Sequence, residues 1–272
     1  MGKPADWIQV GELAKGITEN ILPPSDGLAG RTFRLNLEDG SRWELIFRDA
    51  GTLEWNINKG ADRGEQGRAG YVATCPREQI FFVDYIHPRV AATAVSLVMD
   101  LNRNIATALI GQLPGEATAR RDLFSRIEGN TELTAVDAEF LSAAVDGEYT
   151  DQTPRHTPTT ELVGKRVQYV YSRTEAYEHI YLNENLYTWH CLAGVEQGLA
   201  DTDRCHHYKI ADQLYLFVWR EKLVPTLGVV IIDMQQKKTT GKLFGYETND
   251  FGKLTNAPVG AYATVLNVTR HA

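Results

Sequence analysis

Several large functional classes leave no mark on these 272 residues. The sequence has no G-x-G-x-x-G, Walker-type phosphate loop, G-x-S-x-G or H-E-x-x-H, so nucleotide-dependent and common hydrolase chemistries lack their usual backbone cradle or nucleophile turn. No apolar run approaches the length of a bilayer span, and Met1-Gly-Lys-Pro-Ala-Asp-Trp7 lacks the hydrophobic centre of a signal peptide. Met1-Gly2 resembles a myristoylation start, but Asp6 stands where Ser or Thr is needed. Basic charge is scarce: 28 Lys+Arg against 35 Asp+Glu give a net charge of -7, with no dense basic cluster to grip phosphates. Neither nucleic acid nor membrane is therefore expected as a partner. Only 3 cysteines occur, an odd number without CxxC spacing, which fits reduced thiols and a cytoplasmic location better than a disulfide framework.

What is abundant is period-two alternation. Phe33, Leu35 and Leu37 alternate with Arg34 and Asn36, and the turn Asp39-Gly40 leads into Trp43, Leu45 and Phe47, which reads as a hairpin. Further strands are expected at 53–57, 71–73, 80–86, 95–99 and 105–110. Short helices are expected near the N-terminus over 5–16, capped by Asp6, and at 117–127 and 132–145. Residues 151–160 are rich in Thr and Pro, as a connecting segment should be.

The first half then returns. Glu44, Ile46 and Trp55 recur 134 positions later as Glu178, Ile180 and Trp189, and Phe82 and Asp100 recur with slips of one residue as Phe217 and Asp233. This is a tandem duplication of a β-meander. The expected fold is all-β, with two antiparallel β-barrels in tandem over 1–115 and 161–272 and a partly helical link over 116–160. Closure would remove exposed sheet edges, and a pair of sandwiches is the alternative.

The two copies differ where it matters. The inward set of the first is apolar: Phe33, Leu35, Leu37, Trp43, Leu45, Phe47 and Trp55. In the second it becomes Val167, Tyr169, Tyr171, Tyr177, His179, Tyr181 and Trp189. Buried hydroxyls and an imidazole without partners would cost about 1–3 kcal/mol each, so each must meet another side chain, water or a ligand. In 215–222, Tyr215, Phe217, Trp219 and Glu221 share a face, with Arg220 and Lys222 on the other. A carboxyl near an imidazole or phenol in an aromatic cavity suits acid/base catalysis, so His179, Tyr171 and Glu221 are the catalytic candidates. Tyr169, Tyr177, Tyr181, Trp189, Cys191, Phe217 and Trp219 are the expected binding walls. The polar stretch 194–207 is expected to be a mobile lid, with Arg204 clamping a carboxylate or phosphate. Asp201, Asp203, Cys205, His206 and His207 follow no standard metal spacing, and neither Cys191 nor Cys205 has an activating neighbour in sequence. Glu178, present in both copies, is expected to be structural.

The segments Leu162-Val-Gly-Lys-Arg166, Tyr177-Glu-His-Ile-Tyr-Leu-Asn183, Tyr187-Thr-Trp-His-Cys-Leu192, Leu199-Ala-Asp-Thr-Asp-Arg-Cys205 and 219–228 resemble the molybdenum cofactor biosynthesis protein F family. The resemblance spans both halves and implies two calycin-like (lipocalin-like) domains. A more distant similarity to phenolic acid decarboxylases implies a strand-borne tyrosine pair, here Tyr169 and Tyr171, with an arginine and a glutamate from among Arg204, Arg220 and Glu221. It also implies a reaction without metal or organic cofactor.

Two functions remain open: a cofactor-independent lyase or isomerase acting on a small aromatic or unsaturated acid, or a small-molecule binding protein. The partner expected is a small molecule, and self-association into a homodimer is left open.

Overall fold

A computed structural model describes residues 7–249 and 251–270. The alternating segments are strands, and they close into two antiparallel barrels of eight strands, which decides against sandwiches. The first compact unit comprises Leu22–Gln112 and Ala138–Thr157. Its strands are β1 (Thr32–Leu37), β2 (Arg42–Phe47), β3 (Thr52–Lys59), β4 (Gln66–Arg77), β5 (Ile80–Ile86), β6 (Thr93–Asp100), β7 (Ile105–Gln112) and β8 (Asp137–Val145). Each pairs with the next, and β8 returns to β1 by setting Val145 against Leu35. No strand edge is left open.

The second unit draws on three stretches, Met1–Ile21, Leu113–Asp137 and Pro158–Ala272. It holds the short helices α1 (Val10–Leu13), α2 (Glu116–Ala119) and α3 (Leu123–Glu128). After a two-residue strand β9 (Thr157–Pro158) come β10 (Lys165–Val170), β11 (Ala176–Tyr181), β12 (Leu186–Ala193), β13 (Ala200–Ala211), β14 (Leu214–Arg220), β15 (Thr226–Asp233), β16 (Lys238–Tyr246), β17 (Leu254–Val259) and β18 (Tyr262–Val268). The ring runs β12-β11-β10-β18-β16-β15-β14-β13 and closes where β13 pairs with β12, while β17 pairs with β16.

The duplication holds at the level of hydrogen-bond register. Phe33 faces Leu45 in the first barrel, and Val167 faces His179 in the second. Trp43 faces Ile57, and Tyr177 faces Cys191. A slip of one residue would turn every inward side chain outward, so a shared register carries a shared lumen. The inward sets are accordingly buried in both copies, apart from Trp43, which is half-buried.

Three expectations about local structure change. The 132–145 segment is not helical: Asp137–Val145 is the closing strand, with Leu141, Ala143 and Val145 turned inward. Its alanines are good helix formers, but propensity is a small term and pairing with the edge of β1 overrides it. The expected N-terminal helix shortens to Val10–Leu13, and its proposed cap Asp6 lies outside the described residues. The expected lid over 194–207 is mostly strand, β13, with only its start in a turn.

Candidate functional site

Alternation along β10, β11, β12 and β14 turns the tyrosines, His179 and the tryptophans into the second lumen. Deepest lie Tyr169 and Tyr181, whose hydroxyls hydrogen-bond each other at 2.7 Å. Phe217 packs between Tyr181 and Tyr187, with ring centroids 5.1 and 5.0 Å away. These groups satisfy one another and form a floor.

Above the floor is a cavity of about 50 Å³, lined by Tyr171, Tyr177, His179, Tyr187, Trp189, Trp219 and two carboxyls, Glu196 and Glu221. One wall was not expected from the sequence: Ile8, Val10, Leu13 and Ile17 of the N-terminal segment line the cavity as well. Val10 and Ile17 are buried in the same core as the lumen tyrosines. Asn20 fixes the segment's far end, its backbone N–H donating to Tyr171 O at 3.2 Å and its side chain to Val170 O at 3.0 Å. A volume of this size holds a few waters and no ring compound.

The polar groups are held in unusual states by desolvation. His179 is ringed by Tyr169, Tyr187, Phe217 and Trp219 at 4.7 to 5.8 Å between centroids, and its Nδ1 has no hydrogen-bond partner. Burial drives its pKa down to about 3, so the imidazole stays neutral. Glu221 accepts a hydrogen bond from Trp219 Nε1 at 3.0 Å. Burial, reinforced by the Asp203 carboxylate, holds it well above the usual carboxyl range. Glu196 accepts from the Tyr177 hydroxyl at 3.1 Å and is pushed up by burial in the same way. Asp203, just behind the cavity, takes Trp189 Nε1 at 3.1 Å and the Lys222 backbone N–H at 3.1 Å. The lumen therefore offers phenols, an uncharged imidazole and two carboxyls whose hold on a proton is strengthened by burial.

The expected anion clamp does not form. Arg204 points outward from β13 with its side chain 46% exposed, 3.8 Å from Glu132. Arg220 leaves the lumen on the opposite face of β14, donating to Val136 O at 3.1 Å and pairing with Glu132 at 2.8 Å. Lys222 pairs with Asp201. No arginine or lysine lines the cavity among the described residues. The arginine implied by the decarboxylase similarity is thus missing, since alternation sends both candidates outward. Cys191 is buried beside Tyr177 and contributes packing, with burial raising its thiol. Among the described residues no three His, Cys, Asp or Glu side chains converge on a metal position; Asp203, Cys205 and His207 face in while Arg204 faces out. Glu178 carries Arg166 at 2.5 Å and His190 at 2.9 Å. Those ion pairs support the structural reading of that repeated residue.

Besides the N-terminal wall, Thr226 and Leu243, two polar lining residues escaped the sequence reading. Tyr187 lies two positions before Trp189 on one strand and so shares its face, a signal that was available. Glu196 sits in the turn before β13, where no periodicity places it; its counterpart at the same offset is Asp62.

Family models agree with the two-part architecture. Residues 5–115 match the model described as the MoaF N-terminal domain, and residues 156–269 match the MoaF C-terminal domain. Protein MoaF of Klebsiella aerogenes is 45% identical over 275 residues, covering 100% of this chain and 99% of that one. A solved structure described as a "putative beta-lactamase" from Burkholderia vietnamiensis aligns over 46% of this chain and 95% of its own at 15% identity, with a TM-score of 0.32.

Proposed function

This chain belongs to the MoaF family, and from that premise we propose that its C-terminal barrel is a cofactor-independent isomerase or lyase site working by proton transfer. The observation carrying this reading is the pairing, in one desolvated cavity, of a neutral imidazole at His179 with a carboxyl at Glu221 whose proton is retained by burial. Glu221 supplies a proton to the substrate, His179 accepts one from it, and Tyr171 and Tyr177 orient it by hydrogen bonds. Trp189 and Trp219 offer flat faces for an unsaturated or aromatic ring. Because no lysine or arginine lines the cavity among the described residues, a small aromatic or unsaturated acid would enter it in the uncharged form.

The test is to identify by mass a small molecule that co-purifies with the full chain, then incubate it with the protein in deuterated water. Turnover should place deuterium on a substrate carbon, and Glu221→Gln or His179→Phe should lower that rate by about 10²–10⁴-fold. A molecule released unchanged, with no label gained, would favour the second reading. In that reading the barrel is a lipocalin-like binder associated with molybdenum cofactor assembly, as the family's name suggests. The hydrophobic N-terminal segment lining the cavity supports it, since an apolar wall suits sequestration as well as turnover.

A further inference from the structure

The N-terminal barrel, expected from its apolar inward set to be filled, contains a cup of about 270 Å³ at one end. Trp43, Trp55, Asp62, Tyr85 and His87 line it. Moved 134 positions along the chain, these become Tyr177, Trp189, Glu196, Trp219 and Glu221, which line the C-terminal cavity. The duplication has thus produced the same mouth twice. In the second copy Val10 and its neighbours line it and narrow it, seated where Gly245 has no side chain; a Cβ there would lie 2.3 Å from Val10 Cγ2. The counterpart of Gly245 is Gln112, which stands on the rim of the open cup.

We propose that this cup is a second ligand site, taking a small organic cation. Its walls are aromatic faces, Trp43, Trp55 and Tyr85, which attract cations through the ring quadrupole. The charged groups around it are Asp62 and Glu139, both exposed at the rim, and no lysine or arginine lines it among the described residues. Arg89, in the adjoining loop, is held by Glu65 at 2.8 Å. His87 accepts backbone N–H groups from Val90 at 2.9 Å and Arg89 at 3.3 Å on Nδ1, which leaves the ring uncharged, with its centroid 5.0 Å from that of Trp55. Trp55 Nε1 is enclosed without a partner and does not open onto the cup, so this residue contributes its ring. In the other barrel Trp189 Nε1 has Asp203, and the residue corresponding to Asp203 is Ala69.

Choline, a quaternary ammonium with one hydroxyl, is a direct probe, and its uncharged isostere with carbon in place of nitrogen has the same shape. Calorimetric titration of the full chain should show choline binding about tenfold more tightly than the isostere. Asp62→Asn combined with Glu139→Gln alters only exposed side chains and should remove most of that preference. Trp43→Ala should weaken choline binding by roughly tenfold, whereas Tyr177→Phe in the other barrel should leave it unchanged. Equal binding of both compounds, no binding of either, or loss of choline binding in Tyr177→Phe with retention in the carboxamide variant would each overturn the proposal.

Discussion

Gly228 shows how one residue sets the site. A Cβ at this position would lie 2.1 Å from the Trp219 indole, so the ring lies flat on β15 only because no side chain is there. Gly228→Ala should force Trp219 off this seat, with Glu221 losing the indole donor at 3.0 Å. We expect a loss of about 1–3 kcal/mol in unfolding free energy and a shift in tryptophan emission, both measurable in a denaturant titration. An unchanged midpoint and spectrum would mean that the ring has another resting place. At this scale the sequence was largely readable: period two placed His179, Tyr171, Tyr177, Trp189 and Trp219 in the lumen before any coordinates. It did not yield Glu196, because a turn residue has no periodic neighbours. Nor did it reject Arg204 and Arg220 firmly enough, although the same alternation already turned Arg220 away from Phe217.

Among the elements, the N-terminal segment carries the most functional weight and was the least legible. Its helix spans four residues, too short to stand alone, and its position is fixed by burying Val10 and Ile17. Each such side chain contributes about 1.5–3 kcal/mol, so one misplaced contact should free the segment. Gly245→Gln, which copies the residue of the first barrel, should unseat Val10 while sparing the barrel. Amides of residues 8–17 should then exchange at least tenfold faster, a factor worth about 1.4 kcal/mol, while strand amides of β10 to β16 keep their protection. Unchanged exchange at 8–17 would show that the segment is held elsewhere. No sequence pattern could announce this docking, since its partner surface is assembled from strands more than 150 positions away. β8 was misread for a related reason: its alanine-rich stretch has no strong strand signal, and only the demand for closure makes it one.

For the whole molecule, burial of titratable groups sets the response to pH. His156, His206 and His207 are pushed down to about 4 and His179 to about 3, in each case chiefly by desolvation. Between pH 6.5 and 4 the unfolded chain gains protons on these rings that the folded chain refuses, so their contribution to stability falls as pH falls. Glu221, Glu196 and Asp203 are raised, again chiefly by burial, so the folded chain keeps protons that the unfolded one releases, and their contribution falls as pH rises above about 4. The two sets act in opposition. His179→Phe should flatten the acid side of a stability-against-pH curve, and Glu221→Gln should flatten the neutral side, each by up to about 1.4 kcal/mol per pH unit. Parallel curves for both variants would show that neither group differs in protonation between the two states.

The C-terminal unit also takes its first residues from the very start of the chain and its last strand, Tyr262–Val268, from the far end. During synthesis those opening residues leave the ribosome long before the strands that receive them exist, at about 5–20 residues per second. These residues are therefore made well before their seat exists, and a nascent chain must carry an apolar segment unattached until the strands of the second barrel have followed it.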